Sequence, residues 1–339
     1  MDKITTVGLD LAKNVFHMIG YDARGKEVKK RQLRRAQVLA FFAQLPPCRI
    51  GMESCAGAQY WAREFSGQGH TVRLIPAQHV KPYVQGNKND YNDARAIAEV
   101  LRRPGMRFVA PRTVAQQDVQ ALHRLRQGCI AQRTATSNRL RGLLAEYGLV
   151  LPKGVSVLRR HLPELLEDAG NGLTALCRRL LAQEYRRLQE LDAHIEFYSQ
   201  AVAEHSRHSE ACQRLQTLPG YGPVVASAFH CVVGDGAAYR RGRDVAASLG
   251  LVPRQHSTGG KPLLLGISKR GDSYLRSLLV HGARAVVGQA ARKDDRLSRW
   301  INRIRAERGC NKAVVAMANK MARMGWAVLH NKSTYQPAP

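Results

Sequence analysis

Residues 4–13 read ITTVGLDLAK, and the fold turns on that stretch. Apolar and polar positions alternate over 4–11, the period of a β-strand with one buried face. Asp10 stands mid-strand between Leu9 and Leu11, so its side chain faces opposite to theirs. A carboxylate in a core strand is costly unless it is paired or binds a metal. Working outward, the runs 17–21 and 27–33 flank a turn at 22–25 and predict an antiparallel hairpin. A short helix over 36–44 ends at Pro46-Pro47, followed by a strand at 49–52, a helix at 58–67 and a strand at 70–75. Helical periodicity over 90–103, through Ala94, Ile97, Ala98 and Leu101, stops at Pro104-Gly105.

A strand hairpin with further strands and interleaved helices predicts an α/β RNase H-like domain over residues 1–110. A Rossmann domain would carry GxGxxG after its first strand, and none is present. Four acids fall at telling places in this domain: Asp10 in VGLDLAK, Glu53 in IGMES, and Asp90 and Asp93 in KNDYNDA. Asp90 and Asp93 share one helical face by their i, i+3 spacing. Two Mg²⁺ ions at a phosphodiester need several carboxylates converging from different elements, and strand-Asp, strand-Glu, helix-DxxD supplies them. Each acid also has an ordinary reading: a strand-end charge for Glu53, helix capping for Asp90 with Asp93 in the first turn.

The acids matter because the chain is otherwise so basic. Its 339 residues carry 53 Lys and Arg against 26 Asp and Glu, a net charge of +27. A polyanionic partner follows. With 44% hydrophobic residues the excess does not come from a disordered tail; residues 112–160 hold nine Lys or Arg against two acids, and 254–332 hold seventeen against four. Seven cysteines without a CxxC argue for reduced thiols in a cytoplasm rather than a disulfide or zinc framework. No signal peptide is expected from MDKITT. The uncharged stretch 215–234 contains two prolines and three glycines and makes a poor membrane span.

Beyond residue 110 the pattern becomes helical. Apolar residues recur at Val119, Leu122, Cys129, Leu140, Leu143 and Tyr147, and then Leu188, Leu191, Ile195, Tyr198 and Val202 step by 3, 4, 3, 4 as in a coiled-coil seam. Residues 111–210 are expected to form an arm of antiparallel helices, with Pro152 and Pro163 bracketing the turn; two ordinary buried helices are the alternative. Residues 211–335 predict a mostly α C-terminal domain. Its opening, TLPGYGPVVASAFH, has the pattern of a helix-hairpin-helix whose turn at Gly220 and Gly222 offers backbone N–H groups to a phosphate. A tight turn between packed helices would use the same glycines.

Ser257 and Thr258 precede Gly259-Gly260, with Arg254, His256, Lys261, Lys269 and Arg270 around them. A hydroxyl in a Gly-flanked loop ringed by cations can attack phosphorus, although Ser-Thr-Gly-Gly is also good turn composition.

GLDLAK, MES, KNDYNDA, LPGYGPVVAS, GLVPRQHSTGGK and GISKRGDSYLR, in this order, resemble the DEDD-type insertion-sequence transposases related to the Piv site-specific invertases. The resemblance spans nearly the whole chain. It implies a RuvC-like N-terminal domain whose D-E-D-D set falls on Asp10, Glu53, Asp90 and Asp93, a helical arm, and a C-terminal transposase domain with a serine nucleophile. It further implies Mg²⁺-dependent DNA strand exchange through a covalent serine–DNA intermediate, guided by a structured non-coding bridge RNA. The assembly implied is a homodimer at each DNA site and a homotetramer in the synapse, with active sites combining domains of different subunits. Many relatives have Ser immediately before the first glycine, where this chain has Thr258; Ser257 carries the less hindered primary hydroxyl and is the expected nucleophile, with Thr258 as the alternative.

An RNA guide fits the charge, because reading by base pairing needs backbone-directed cations. Arg124, Arg126, Arg133, Arg139 and Arg141 on the arm, and Arg299, Arg303, Arg305 and Arg308 near the end, are spaced to line helical faces. The expected setting is a bacterial cytoplasm, at the nucleoid when DNA-bound. The competing expectation is a RuvC-like junction nuclease that hydrolyses with water and forms no covalent intermediate.

Overall fold

The structure, a computed structural model, describes residues 3–87, 89–106 and 108–337. Two compact units divide the chain, Met1–Gln116 and Gln117–Pro339.

The first unit runs β1 (Thr6–Asp10), β2 (Val15–Tyr21), β3 (Glu27–Arg34), α1 (Arg35–Ala43), β4 (Arg49–Glu53), α2 (Ala58–Gly67), β5 (Thr71–Ile75), α3 (Ala77–Val80), a 3₁₀ turn at Lys81–Tyr83 and α4 (Asp90–Arg102). The sheet order is β3-β2-β1-β4-β5, antiparallel through the hairpins and parallel from β1 to β5. Strand alternation sends Val7, Leu9, Met18, Ile50 and Met52 to one face, where they are buried with Val38 and Phe42 of α1 and Trp61 and Phe65 of α2.

The opposite face receives α4, and two glycines make room for it. Gly8 and Gly51 are neighbours in the parallel register of β1 and β4. A Cβ on Gly8 would overlap the Ala94 carbonyl oxygen and stand 2.8 Å from Ala98 Cβ; one on Gly51 would meet Ile97 and Leu101 at 3.1 Å. Backbone and helix therefore touch directly. Two residues beyond each glycine, on the same face by alternation, stand Asp10 and Glu53. Both strands thus read Gly-apolar-acid, a trough for the helix followed by a carboxylate.

Asp10 closes β1 instead of lying mid-strand, because the chain leaves the sheet after it. The capping of α4 also differs from expectation. Asn89 is the N-cap, its side chain accepting from the Tyr91 amide at 2.9 Å, which leaves the carboxylates of Asp90 and Asp93 free of that task.

The second unit is mostly helical. From the junction, α5 (Val114–Ala145), α6 (Val155–Glu167), α7 (Ala175–His208), α8 (Glu210–Gln216), α9 (Pro223–Val233) and α10 (Gly242–Ser248) lead to a hairpin of β6 (Pro253–Gln255) and β7 (Leu264–Ile267). Then follow α11 (Ser273–Ala290), α12 (Arg296–Arg308) and α13 (Cys310–His330). One core joins α8 to α13 through Leu215, Phe229, Leu275, Leu279, Met317 and Met321. A second, smaller core gathers Leu140, Leu144, Leu158, Leu162, Leu181 and Leu188 from α5, α6 and α7.

Of the seam on α7, Leu188, Leu191, Ile195 and Val202 are buried and Tyr198 is half-buried. The buried residues of α5 include polar His123, Thr136 and Ser137, and His123 bonds the Tyr274 hydroxyl of α11 at 2.9 Å and Ser227 Oγ of α9 at 3.0 Å. Pro163 lies inside α6, not in a turn. Proline cannot donate to the carbonyl four residues back; here the Tyr185 hydroxyl of α7 donates to the Arg159 carbonyl at 3.2 Å and fills that vacancy. No helix among the described residues is long and apolar enough to cross a membrane.

Candidate active site

The trough under α4 brings acids together. Asp10, Asp90 and Asp93 each offer an oxygen within 4.8 Å of the others. Glu53 stands outside that triplet but beside it: β1 and β4 pair Leu9 with Met52, so Glu53 occupies the position next to Asp10. Burial, then the charges of Asp93, Asp90 and Glu53, push the Asp10 carboxyl up to about 7. Burial and Asp93 raise Glu53 as well. No Lys or Arg forms an ion pair with Asp10, Asp93 or Glu53 among the described residues.

A half-buried carboxylate held among three others takes up either a proton or a cation. All four donors are hard oxygens, the ligand type of Mg²⁺ or Mn²⁺. The residues present fit such an ion.

His17 belongs to the site and escaped the sequence reading. Antiparallel pairing sets it opposite Asp10, and its Nδ1 lies 3.4 Å from an Asp90 oxygen. Its ring packs edge-on against Tyr91 at 4.7 Å, and Lys30 sits 4.0 Å over the other aromatic of this pair, Tyr91. Continuing the expected strands 4–11 and 17–21 back to back would have found the His17–Asp10 pairing. Cys55, exposed, lies close enough to Glu53 and Asp10 that their charges, after burial, raise its thiol.

The second set of candidates lies on the β6–β7 hairpin. Thr258, Gly259, Gly260 and Lys261 form its two-residue turn, closed by the Lys261 amide donating to the Thr258 carbonyl at 3.1 Å. Gly259 and Gly260 both have positive φ, +55° and +75°, which this mirror-image turn demands. The turn projects Ser257 and Thr258 into solvent. Ser257 Oγ accepts from Gln255 Nε2 at 2.8 Å. Arg254, Lys261, Lys269 and Arg270 are all at least partly exposed around it.

The phosphate-binding candidates fare unevenly. Gly220, at φ +85°, packs against Gly282 of α11 and Met321 of α13, where a Cβ would stand 3.0 Å from the Gly282 carbonyl oxygen and 2.8 Å from Met321 Cε. Gly222 is open, the N-cap of α9. On α5, Arg126 donates to Ser199 Oγ at 2.8 Å, Arg133 pairs with Asp192 at 3.3 Å, and Arg139 pairs with Glu184. Arg141 donates to Ser137 Oγ at 3.0 Å and to the Pro152 carbonyl at 3.2 Å. These four arginines tie helices and loops together. Arg124 is exposed, with no partner among the described residues.

Two family models match the chain. One, described as a transposase of the DEDD type, covers residues 7–149, and the other, described as transposase IS116/IS110/IS902 family, covers residues 212–298. Similar curated proteins include a probable family 20 transposase of Pseudomonas aeruginosa, 47% identical over 98% of this chain and 99% of its own. The transposase for insertion sequence element IS1111A of Coxiella burnetii is 45% identical over 99% and 92% of the two chains. That for IS1328 of Yersinia enterocolitica is 42% identical over 97% of each.

Proposed function

The chain belongs to the IS116/IS110/IS902 family of transposases, which cut and rejoin DNA to move an insertion sequence, and we propose that it does so by joining two chemistries carried on separate units. The carboxylates of Asp10, Glu53, Asp90 and Asp93, on an RNase H-like (RuvC-like) domain, hold Mg²⁺, in one or two ions. The convergence of Asp10, Asp90 and Asp93, with Glu53 beside Asp10, is the observation that carries this reading. Bound there, the metal supplies charge neutralisation and Lewis acidity at a phosphodiester. His17 Nδ1, 3.4 Å from an Asp90 oxygen, stands within reach of that carboxylate.

The Ser257 hydroxyl is the nucleophile. Its oxygen forms a bond to phosphorus as the bond from phosphorus to one deoxyribose oxygen breaks, and that oxygen leaves as a hydroxyl. An incoming hydroxyl reverses the step and frees the serine, so phosphoester count is conserved and no energy source is needed. Exposure beside the two-residue turn supports this role, and the cations Arg254, Lys261, Lys269 and Arg270 favour the approach of a phosphate.

Guidance by a structured RNA, assembly as a homodimer and then a homotetramer, with acids and serine drawn from different subunits, and a bacterial cytoplasmic setting complete the proposal. Their support is the motif resemblance together with a charge of +27. The test is a nicked target duplex incubated with protein and Mg²⁺, then denatured. A protein–DNA adduct is expected, lost in Ser257→Ala and retained in Thr258→Val. Retention in both variants would remove the assignment; hydrolysis without any adduct would favour a water-dependent nuclease. RNA co-purifying with the protein, sequenced, tests the guide.

A further inference from the structure

Beside the serine hairpin, in the second unit, α12, α13, the start of α10 and strand β7 enclose a cleft of 1880 Å³. Small-molecule sites run to about 300–1,000 Å³, so the cleft suits a stretch of polymer better than a metabolite. Seven Lys or Arg line it against one acid, Glu307. A smaller cavity of 690 Å³ continues it, sharing Trp300, Arg303, Lys320 and Met324 and adding Arg296 and Arg299.

The cations here are crowded. Lys320 sits 4.3 Å over the Trp300 ring, and burial, then Arg323 and Arg296, lower its ammonium from the usual lysine range. Lys320, Arg303, Arg308, Lys312 and Arg323 make no ion pair among the described residues, whereas Arg299, at the margin, pairs with Asp294 at 3.6 Å. Like charges packed without counter-ions inside a cleft favour an anionic occupant. A phosphate chain provides one.

The apolar share of the lining decides which kind. Leu264 and Leu265 of β7 are 63% and 39% exposed, and with Trp300 and Met324 they interleave with the cations. Duplex DNA presents phosphates and sugars on its outside, whereas a single strand presents phosphates and unstacked bases together. We propose that this cleft holds one unpaired DNA strand, phosphates toward Lys320, Arg323 and Arg303 and bases against the apolar wall that β7 provides. The proposal rests on the family's DNA cutting and rejoining, which leaves strand ends to be held. Strand β7 leads back through the turn at 258–261 to Ser257, so a strand in the cleft lies along the same hairpin as the proposed nucleophile.

The measurement is fluorescence anisotropy of the full chain, in chelator, with a labelled 12-nucleotide DNA strand, its duplex, and the RNA strand of the same sequence. Arg303→Ala with Lys312→Ala changes exposed side chains only, and Lys320→Ala probes the crowded centre. Each is expected to weaken the single strand about tenfold or more while changing duplex binding less than about threefold. Arg24→Ala, on an exposed turn of the first unit, should leave both unchanged. Equal loss for strand and duplex, no loss for the strand, or an RNA preference above tenfold each overturns the proposal. A separate excision assay on the unaltered protein tests the family reading, so the cleft can fail while transposition stands.

Discussion

Asp10 carries the energetics of the acidic site. Its carboxyl, pushed up to about 7 chiefly by burial and then by Asp93, Asp90 and Glu53, holds a proton more tightly in the folded protein than in the unfolded chain. From the ordinary value of 3.8 to about 7 the folded state binds the extra proton. Stability from this group is therefore fully present below the lower value and is lost as pH rises through the upper one. In chelator, the melting temperature of the wild type is expected to fall between pH 5 and pH 8 relative to Asp10→Asn, which has no such proton. Added Mg²⁺ or Mn²⁺ should restore the wild type at pH 8 by several degrees, through binding to the native state, and do little at pH 5 or for the variant. Calorimetry at the two pH values checks this, and parallel curves for the two proteins would remove the crowded-carboxylate account. The residue types of this site were legible in sequence. The division of labour was not: Asn89 takes the cap that Asp90 could have taken, and His17 enters only through strand pairing.

At the scale of elements, the site depends on how closely α4 approaches the sheet. Gly8→Ala would drive a methyl group into the Ala94 carbonyl, so α4 must shift as a body. Overpacking of this kind costs about 1–3 kcal/mol, and it moves Asp90 and Asp93 away from Asp10. Weaker metal binding by titration calorimetry should accompany the lower stability. Gly51→Ala meets side-chain atoms of Ile97 and Leu101 at 3.1 Å and no backbone, and should cost less. The strands and α4 followed from alternation and helical periodicity, but the Gly-apolar-acid pattern acquired meaning only once a helix lay across both strands. Pro163 shows the converse failure. Proline usually ends a helix, and nothing local in the sequence reveals that Tyr185, 22 residues on in another helix, bonds the freed carbonyl. Tyr185→Phe removes that partner and should cost about 1 kcal/mol, read as a lower denaturation midpoint with DNA binding unchanged.

Across the whole molecule, charge is shared between the units. The first has 19 Lys or Arg against 9 acids, four of them in the site, and the second has 34 against 17. Composition made the polyanion partner legible without any structure. Which cations face it could not be read, because helical spacing gives the same arginine pattern whether the groups pair with α7 or with phosphate. Arg126, Arg133, Arg139 and Arg141 turn out to be engaged within the protein, whereas Arg303, Arg308 and Lys312 are exposed. The number of phosphates neutralised should therefore fall well short of the net charge. Each contact releases condensed counter-ions, so log K falls with log salt at roughly 0.9 per phosphate on duplex DNA. Between 50 and 200 mM salt, about six contacts would lower non-specific duplex affinity about a thousandfold. Replacing Arg139 by Ala should leave that slope unchanged, because its charge is already balanced by Glu184. Replacing Arg303, Arg308 and Lys312 together should flatten the slope for an unpaired strand and leave the duplex slope nearly unchanged. Measuring the slope with strand and duplex side by side checks this, and a slope near zero for both would contradict the electrostatic basis of binding.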